Sequence, residues 1–315
     1  MNPTVSVIVP NYNYASFLAQ RLDSILAQTF TDFEVIILDD HSTDNSREVI
    51  ESYRNHPRIS RIVYNTENSG SPFVQWNRGV ELAVGEWIWI AESDDYADRH
   101  FLKCLMDEVD HVPNAVIAFS HSHFVDVNGN DLGYNAHAEH GDKIEVYDGQ
   151  HFVKRKMLWR NYIFNASMTI FKKSVYLQVD KSFTHYRSCG DWLLWTNICL
   201  KGDVIECFNL LNSFRQHNNS TTAKAGKVGN DWREVSEILH EFAQSQDLSP
   251  LLRRCFRGQW TKHLRESNCH DKAELVDLYP DVYGGTNLDV LCYEISKIPI
   301  KIKQWKITKE NEYVK

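Results

Sequence analysis

In "WIWIAESDDYADRH", residues 87–100, five apolar residues run directly into an acidic loop that holds two adjacent carboxylates, Asp94 and Asp95. Like charges side by side repel, so the pair asks for a cation, a donor-rich ligand or solvent. Three other apolar runs also end on groups able to do chemistry: "PNYN" with Pro10 and Tyr12, "DDHSTD" with Asp40, and "NSGS". The Tyr12 ring offers a flat face to a base, and the Asp40 carboxylate accepts the imide N–H of a uracil, a donor that cytosine and adenine lack at that ring position. Carboxylate oxygens at Asp94 and Asp95 suit Mg²⁺ or Mn²⁺, with phosphate oxygens and water filling the shell. A uridine nucleotide would satisfy all four. The competing reading is helix capping, by Asp40, Ser42 or Asp44 in "DDHSTDNS" and by the acidic pair itself.

These residues are far apart in sequence, so the fold must bring them together. From residue 4 to about 120, β-branched runs alternate with amphipathic segments: "TVSVIV", a helix over 15–28, "FEVIIL", a helix over 45–53, "RISRIVYN", a helix over 73–84, "EWIWIA", a helix over 98–110 and "AVIAFS". That alternation predicts a mostly parallel sheet covered by helices on both faces, with its ligand site at the carboxyl ends of the strands. Beyond residue 120 come a turn at "DVNGND", a polar stretch to residue 150, a strand "SMTIF", a helix around "GDWLLWTNICL" and two short strands, "DVIEC" and "LLNSF". Residues 230–296 read as helical throughout. The boundary is placed at residue 222, with a nucleotide-binding half over 1–125, an acceptor half over 126–222 and a helical extension over 223–315.

The totals narrow the class. With 315 residues of which 43% are hydrophobic, the chain fills a substantial core, and a net charge of -8 argues against nucleic acid as a partner. The seven cysteines are an odd number without CxxC spacing, which predicts reduced, mostly buried thiols in a cytoplasmic protein. The first residues, "MNPTVSVIVPNYN", do not read as a secretion leader, and no apolar run reaches the ~18 residues that span a bilayer.

"VSVIVPNYNYASFLAQRLDSILAQTFTDFEVIILDDHSTDNS", followed by "ENSGSPFVQWNRGVELAVGEWIWIAESDD", resembles the N-terminal half of the family 2 glycosyltransferases, strongly over about 4–125 and in patches to 222. The resemblance implies an α/β chain with the GT-A fold, a nucleotide-binding sheet flanked by helices, and a C-terminal helical extension. It implies that Pro10, Tyr12 and Asp40 hold the nucleoside, that Asp94 approaches the ribose or diphosphate, and that Asp95 binds the metal, Mn²⁺ or Mg²⁺. Glu92 stands where the family often has Asp. Asn77 and Arg78 match a helix beside the donor, where Arg78 meets phosphate or remains a surface cation. "CGDWLLW" resembles the segment carrying the family's general base, which makes Asp191 that base, with Gly190 replacing a common acidic residue. "FRQHNNSTT" resembles a late loop in which Arg215 and His217 close over the diphosphate and the His completes the metal shell. The implied reaction is inverting transfer of a sugar from a UDP-sugar to a saccharide or lipid-linked saccharide, with Asp191 deprotonating the acceptor hydroxyl.

Trp192, next to that base, suits an acceptor platform or the core; Trp195 suits the core. "HSH" at 121–123 places two imidazoles on one strand face and reads as a pocket wall. A sugar nucleotidyltransferase would need a Gly- and Lys-containing loop where "PNYNYAS" has neither, and a dehydrogenase would need GxGxxG there. A nucleotide-sugar sensor without turnover is the non-enzymatic alternative. The last stretch, "KIPIKIKQWKITKENEYVK", carries six lysines against two glutamates, a local charge of +4. It reads either as a solvated tail or edge strand, or as a contact with the inner face of a membrane.

Overall fold

The computed structural model describes residues 2–133, 136–137, 139–217 and 231–297. Two compact units are present, Met1–Met157 with Asn161–Lys227, and Leu158–Arg160 with Val228–Lys315. Residue 222, where the sequence places the boundary, lies outside the described residues.

In the first unit the four expected strand–helix repeats form: β1 (Val5–Asn11), α1 (Ala15–Leu26), β2 (Phe33–Asp39), α2 (Ser46–Tyr53), β3 (Ile59–Tyr64), α3 (Pro72–Leu82), β4 (Trp87–Ile90) and, after the short β5 (Tyr96–Ala97), α4 (Phe101–Val109). Every residue of β1, β2 and β4 is buried, as a strand covered on both faces requires. β1 pairs in parallel with β2 and β4, and β2 with β3. The register sets Asn11 beside Asp39, so the loops after β1 and β2 leave the sheet side by side.

The sheet then departs from the parallel expectation. β6 (Ala115–Val125), β7 (Ile144–Asp148), β8 (Thr169–Lys172) and β9 (Asp203–Arg215) complete it in the order β3-β2-β1-β4-β8-β6-β9-β5, with β7 on β9. β8 runs antiparallel between β4 and β6, and β5 and β7 are antiparallel to β9. β9 is one strand where the sequence suggests two. The pairing with β6 steps from Ser120↔Cys207 to His121↔Leu210, so a bulge absorbs the intervening residues without the chain leaving the sheet. β7 lies inside the stretch read as merely polar; its burial alternates weakly, which hides a strand from pattern reading. Short helices α5 (Gly149–Phe152) and α6 (Lys173–Tyr176) precede α7 (Gly190–Cys199), of which nearly every residue is buried. All seven cysteines are free; Cys199, Cys207 and Cys255 are buried and the other four only half-buried, fewer than expected.

The second unit carries α8 (Asp231–Ser245), α9 (Pro250–Glu266), α10 (Lys272–Leu278), α11 (Pro280–Tyr283) and α12 (Asn287–Ser296). α9 and α12 cross at Gly258, where a Cβ would lie 2.0 Å from the Asp289 carbonyl oxygen. α12 starts on a capping box between Thr286 and Asp289. Trp260 donates from Nε1 to the Leu158 carbonyl at 3.1 Å, and Trp159 stacks on Tyr293.

Candidate active site

The loops after β1 and β2 are interlocked. Asn13 and His41 take left-handed backbone, φ 60° and 63°, at a conformational cost that these hydrogen bonds offset. The Thr43 N–H donates to Asn13 Oδ1 at 2.7 Å, and the Asn13 N–H donates to Ser42 Oγ at 3.0 Å. Asp44 accepts from the Ala15 N–H at the start of α1 and from the Ser46 N–H at the start of α2, both at 3.0 Å. Ser42 and Asp44 are therefore scaffold: Asp44 holds the first N–H of each helix, whereas Ser42 ties the two loops together and caps neither. Tyr12, between them, is 45% exposed, which leaves its ring face open.

Asp40 is buried, and its carboxylate is crowded with donors from the chain itself. It accepts from Asn65 Nδ2 (2.6 Å), Asn68 Nδ2 (3.1 Å), the Ser69 hydroxyl (2.7 Å), the Ser69 N–H (3.0 Å) and Gln75 Nε2 (2.9 Å). A carboxylate has about four lone-pair sites, so these contacts use its capacity. Asp40 holds the 65–71 loop in place, and an imide N–H reaches it only by displacing one of them. Arg78, exposed on α3, donates to the Asn65 side chain and so joins the same network. Asn77 is held by Glu81 at 2.7 Å and by the Tyr176 hydroxyl at 3.3 Å.

The acidic loop after β4 is fastened to β1 by Ser93, whose hydroxyl donates to the Pro10 carbonyl at 2.7 Å. Glu92 accepts from Trp76 Nε1 at 2.7 Å; burial, reinforced by the Asp94 charge, pushes its carboxyl up to about 8. Burial and Asp94 likewise push Asp95 up, to about 6. Each Asp95 oxygen accepts one donor, the Arg215 N–H at 3.0 Å and Asn165 Nδ2 at 2.8 Å. Asp94 faces a different partner: its Oδ2 lies 2.9 Å from His217 Nε2, and the imidazole is wedged between Tyr14 and Phe17.

Arg215 corrects the expectation of a phosphate clamp. It is 2% exposed. Its guanidinium donates to the carbonyls of Asp94 (2.7 Å), Asp126 (3.1 Å) and Val127 (2.9 Å) and to Gln20 (2.6 Å), and lies over Phe17. It braces the acidic loop from behind. Arg21, which sequence reading passes over, is fully buried against Trp89, and none of its side-chain nitrogens hydrogen-bonds to a described residue. Burial lowers its pKa to about 10 against the pull of Asp95, Glu92 and Asp94.

Among the described residues no three His, Cys, Asp or Glu side chains gather to hold a metal ion. Mg²⁺ and Mn²⁺ sites at phosphates commonly use one or two protein ligands and take the rest from substrate and water. Asp94 on the acidic loop and His217 after β9, 2.9 Å apart, supply that number, so the residues fit such an ion. Asp95, the expected ligand, carries one donor on each oxygen, from Arg215 and Asn165, which leaves lone pairs for an ion beside Asp94.

Asp191 lies in the first turn of α7, the helix end that favours negative charge. Its Oδ2 accepts from Asn161 Nδ2 at 3.0 Å and its Oδ1 from the Trp192 N–H at 2.8 Å. Gly190 has no room for the acidic side chain the resemblance leads one to expect, since a Cβ there would sit 2.3 Å from the Phe183 carbonyl oxygen. Trp192 corrects another expectation: it is 3% exposed and its indole N–H is held by the Met157 carbonyl at 2.8 Å, so neither face is open to a sugar. Trp195 is core, stacked on Trp76. His121 is no pocket wall either. It is buried against Glu206 at 3.0 Å and stacked on His137, while His123 pairs with Asp131.

The segment 161–167 is the part that sequence reading missed. Asn161 holds Asp191, Asn165 holds Asp95, and the Ser167 hydroxyl accepts from the Glu92 N–H at 3.0 Å. The available signal was Asn161, Asn165 and Ser167 spaced through the largely apolar "NYIFNASMTIF". One stretch of chain thus positions both the acidic loop and the Asp191 carboxylate on α7.

Residues 6–179 match the family model described as "Glycosyl transferase family 2". Glycosyltransferase GlyG of Streptococcus pneumoniae serotype 4 is 32% identical over 130 residues, 41% of this chain and 43% of GlyG. The putative teichuronic acid biosynthesis glycosyltransferase TuaG of Bacillus subtilis is 25% identical over 244 residues, 76% of this chain and 90% of TuaG. The chain spans less than half the length of the curated relatives it matches first, GlyG (43%) and an uncharacterized glycosyltransferase of Nostoc (42%). Among solved structures, S. aureus TarS 1-349 in complex with UDP-GlcNAc has a TM-score of 0.65 at 19% identity, covering 92% of this chain and 81% of that one. The mannosyltransferase PcManGT from Pyrobaculum calidifontis, in complex with GDP-Man and Mn²⁺, has a TM-score of 0.52 at 15% identity, covering 93% and 73%. At such identities the likeness shows the fold, which is GT-A.

Proposed function

The chain belongs to glycosyl transferase family 2 and is a glycosyltransferase, and from that premise we propose that it transfers a sugar from a UDP-sugar to a saccharide hydroxyl, free or lipid-linked, with inversion at the anomeric carbon. The observation that carries this reading is the 161–167 segment, which ties Asp191 and the acidic loop into one unit. UDP as the nucleotide is supported by the open Tyr12 ring beside the Asp40 loop and by the UDP complexes of TarS.

In this mechanism Tyr12 stacks on the base, and the 65–71 loop, braced on Asp40, lines its edge. Arg78 is the exposed cation nearest that network. A divalent ion, when bound, would neutralise the diphosphate, held by Asp94 and His217. Asp191 takes the proton from the acceptor hydroxyl as its oxygen forms the new bond to the anomeric carbon, and the bond to the diphosphate oxygen breaks on the opposite face. The oriented Asn161 keeps one Asp191 oxygen fixed while the proton moves. Arg215 and Asn165 act through the acidic loop and keep Asp94 facing outward.

A screen of UDP-sugars for UDP release, with and without Mn²⁺ and with saccharide acceptors, tests the proposal. Release that needs both a UDP-sugar and an acceptor is expected. Turnover of GDP-sugars alone would remove the uridine reading, and no release with any donor would leave a binding protein.

A further inference from the structure

We propose that α12 is the docking face for an anionic lipid surface. Leu288, Leu291 and Ile295 are 52%, 53% and 54% exposed, and their i, i+3, i+7 spacing lines them along one side of the helix. Large aliphatics are elsewhere the usual filling of the interior, so three in a row on an exposed helix side ask what covers them.

The charges around the stripe name the occupant. α12 has two acidic residues, and both are drawn away from the stripe into ion pairs with α9, Asp289 with Arg254 at 2.8 Å and Glu294 with Lys262 at 2.6 Å. The exposed side therefore presents Leu, Ile, Asn287 and Ser296 without a negative charge. Lys297 follows directly, and the eighteen residues after it, 298–315, lie outside the described residues. Their sequence continues the same chemistry: Lys301, Lys303, Lys306 and Lys309 interspersed with Ile298, Ile300, Ile302, Trp305 and Ile307, with no acid before Glu310. An aliphatic helix side feeding into a basic, Ile- and Trp-bearing segment matches a surface with acyl chains beneath anionic headgroups.

A second copy of the chain fits less well. The stripe is about 10 Å long, and three half-exposed side chains offer a few hundred Å² at most, against roughly 800 Å² per partner in a stable interface. The inference does not depend on the donor or the reaction, since the face belongs to the helical unit; it would suit an acceptor anchored in lipid.

The test is co-sedimentation of the full chain with vesicles of phosphatidylcholine alone and of phosphatidylcholine mixed with phosphatidylglycerol. Binding to the mixed vesicles only, weakening as salt is raised, is expected. Leu288→Ser, Leu291→Ser and Ile295→Ser together should lower the partition by ~10-fold or more. None of the three is a residue assigned to the reaction, so UDP release with a soluble acceptor and the melting temperature should stay unchanged and exclude misfolding as the cause. Equal partition of parent and serine variant, or no binding by the parent, overturns the proposal. A concentration-dependent dimer that the serine variant abolishes, without lipid binding, overturns it in favour of self-association.

Discussion

Two buried carboxylate centres on one sheet are built on opposite principles. Glu206, on β9, accepts from His121 at 3.0 Å and from the Tyr162 hydroxyl at 2.6 Å, with the Lys156 ammonium 3.7 Å away. Burial pushes its carboxyl up, but these partners outweigh that and bring it down to about 2. Glu92, on the loop after β4, has one Trp76 N–H, two aspartates and the buried Arg21 for neighbours, and burial with the Asp94 charge takes it up to about 8. The first centre carries its own countercharge on Lys156; the second sets three carboxylates against the buried Arg21 and keeps two of them well above the ordinary range, a perturbation of the kind that clusters at functional sites.

The largest effect is expected at Asp191: Asp191→Asn should keep UDP-sugar binding and lose transfer by ~10² to 10⁴ in single-turnover assays. Normal turnover would move the base elsewhere. Next is Glu206. Its folded pKa is depressed, so its contribution, roughly 3 kcal/mol, is present above the ordinary glutamate range and is lost as pH falls from about 4.5 towards 2. Glu206→Gln should be less stable at neutral pH and should lack that acid limb in melts recorded across the window; an unchanged limb would show the centre is not self-neutralised.

A smaller effect separates the neighbouring aspartates. Asp94→Asn should lower Mn²⁺-dependent UDP affinity about 10-fold or more by calorimetry and leave the melting temperature in place. Asp95→Asn should do the reverse, lowering the melting temperature, because it places an amide against the Arg215 and Asn165 donors. If Asp95→Asn alone abolishes the metal effect, Asp95 is the ligand after all. The smallest change is at Tyr12, where Tyr12→Ala should cost about 1–3 kcal/mol of UDP affinity and nothing in stability, whereas Asp40→Asn should cost a similar amount in stability. Equal melting temperatures for parent and Asp40→Asn would show that the loop does not rest on that carboxylate.

The sequence by itself determined the four β/α repeats, because apolar runs covered on both faces are a local pattern that needs no knowledge of partners. It determined the strand-end loops for the same reason, and with them the candidates Tyr12, Asp40, Asp94 and Asp95, while Asp191 came from the family resemblance of "CGDWLLW". What only the tertiary structure decided is which of these are open. Asp40 and Asp95 look no different in sequence from Asp94, yet donors up to 120 residues away occupy the oxygens of the first two. Arg215 reads as a phosphate ligand until three carbonyls converge on it. Trp192 reads as a platform until the Met157 carbonyl closes over its N–H. A donor's partner depends on contacts between segments remote in sequence, and periodicity carries no record of them; for that reason the linking role of Asn161, Asn165 and Ser167 emerged only when the chain was folded.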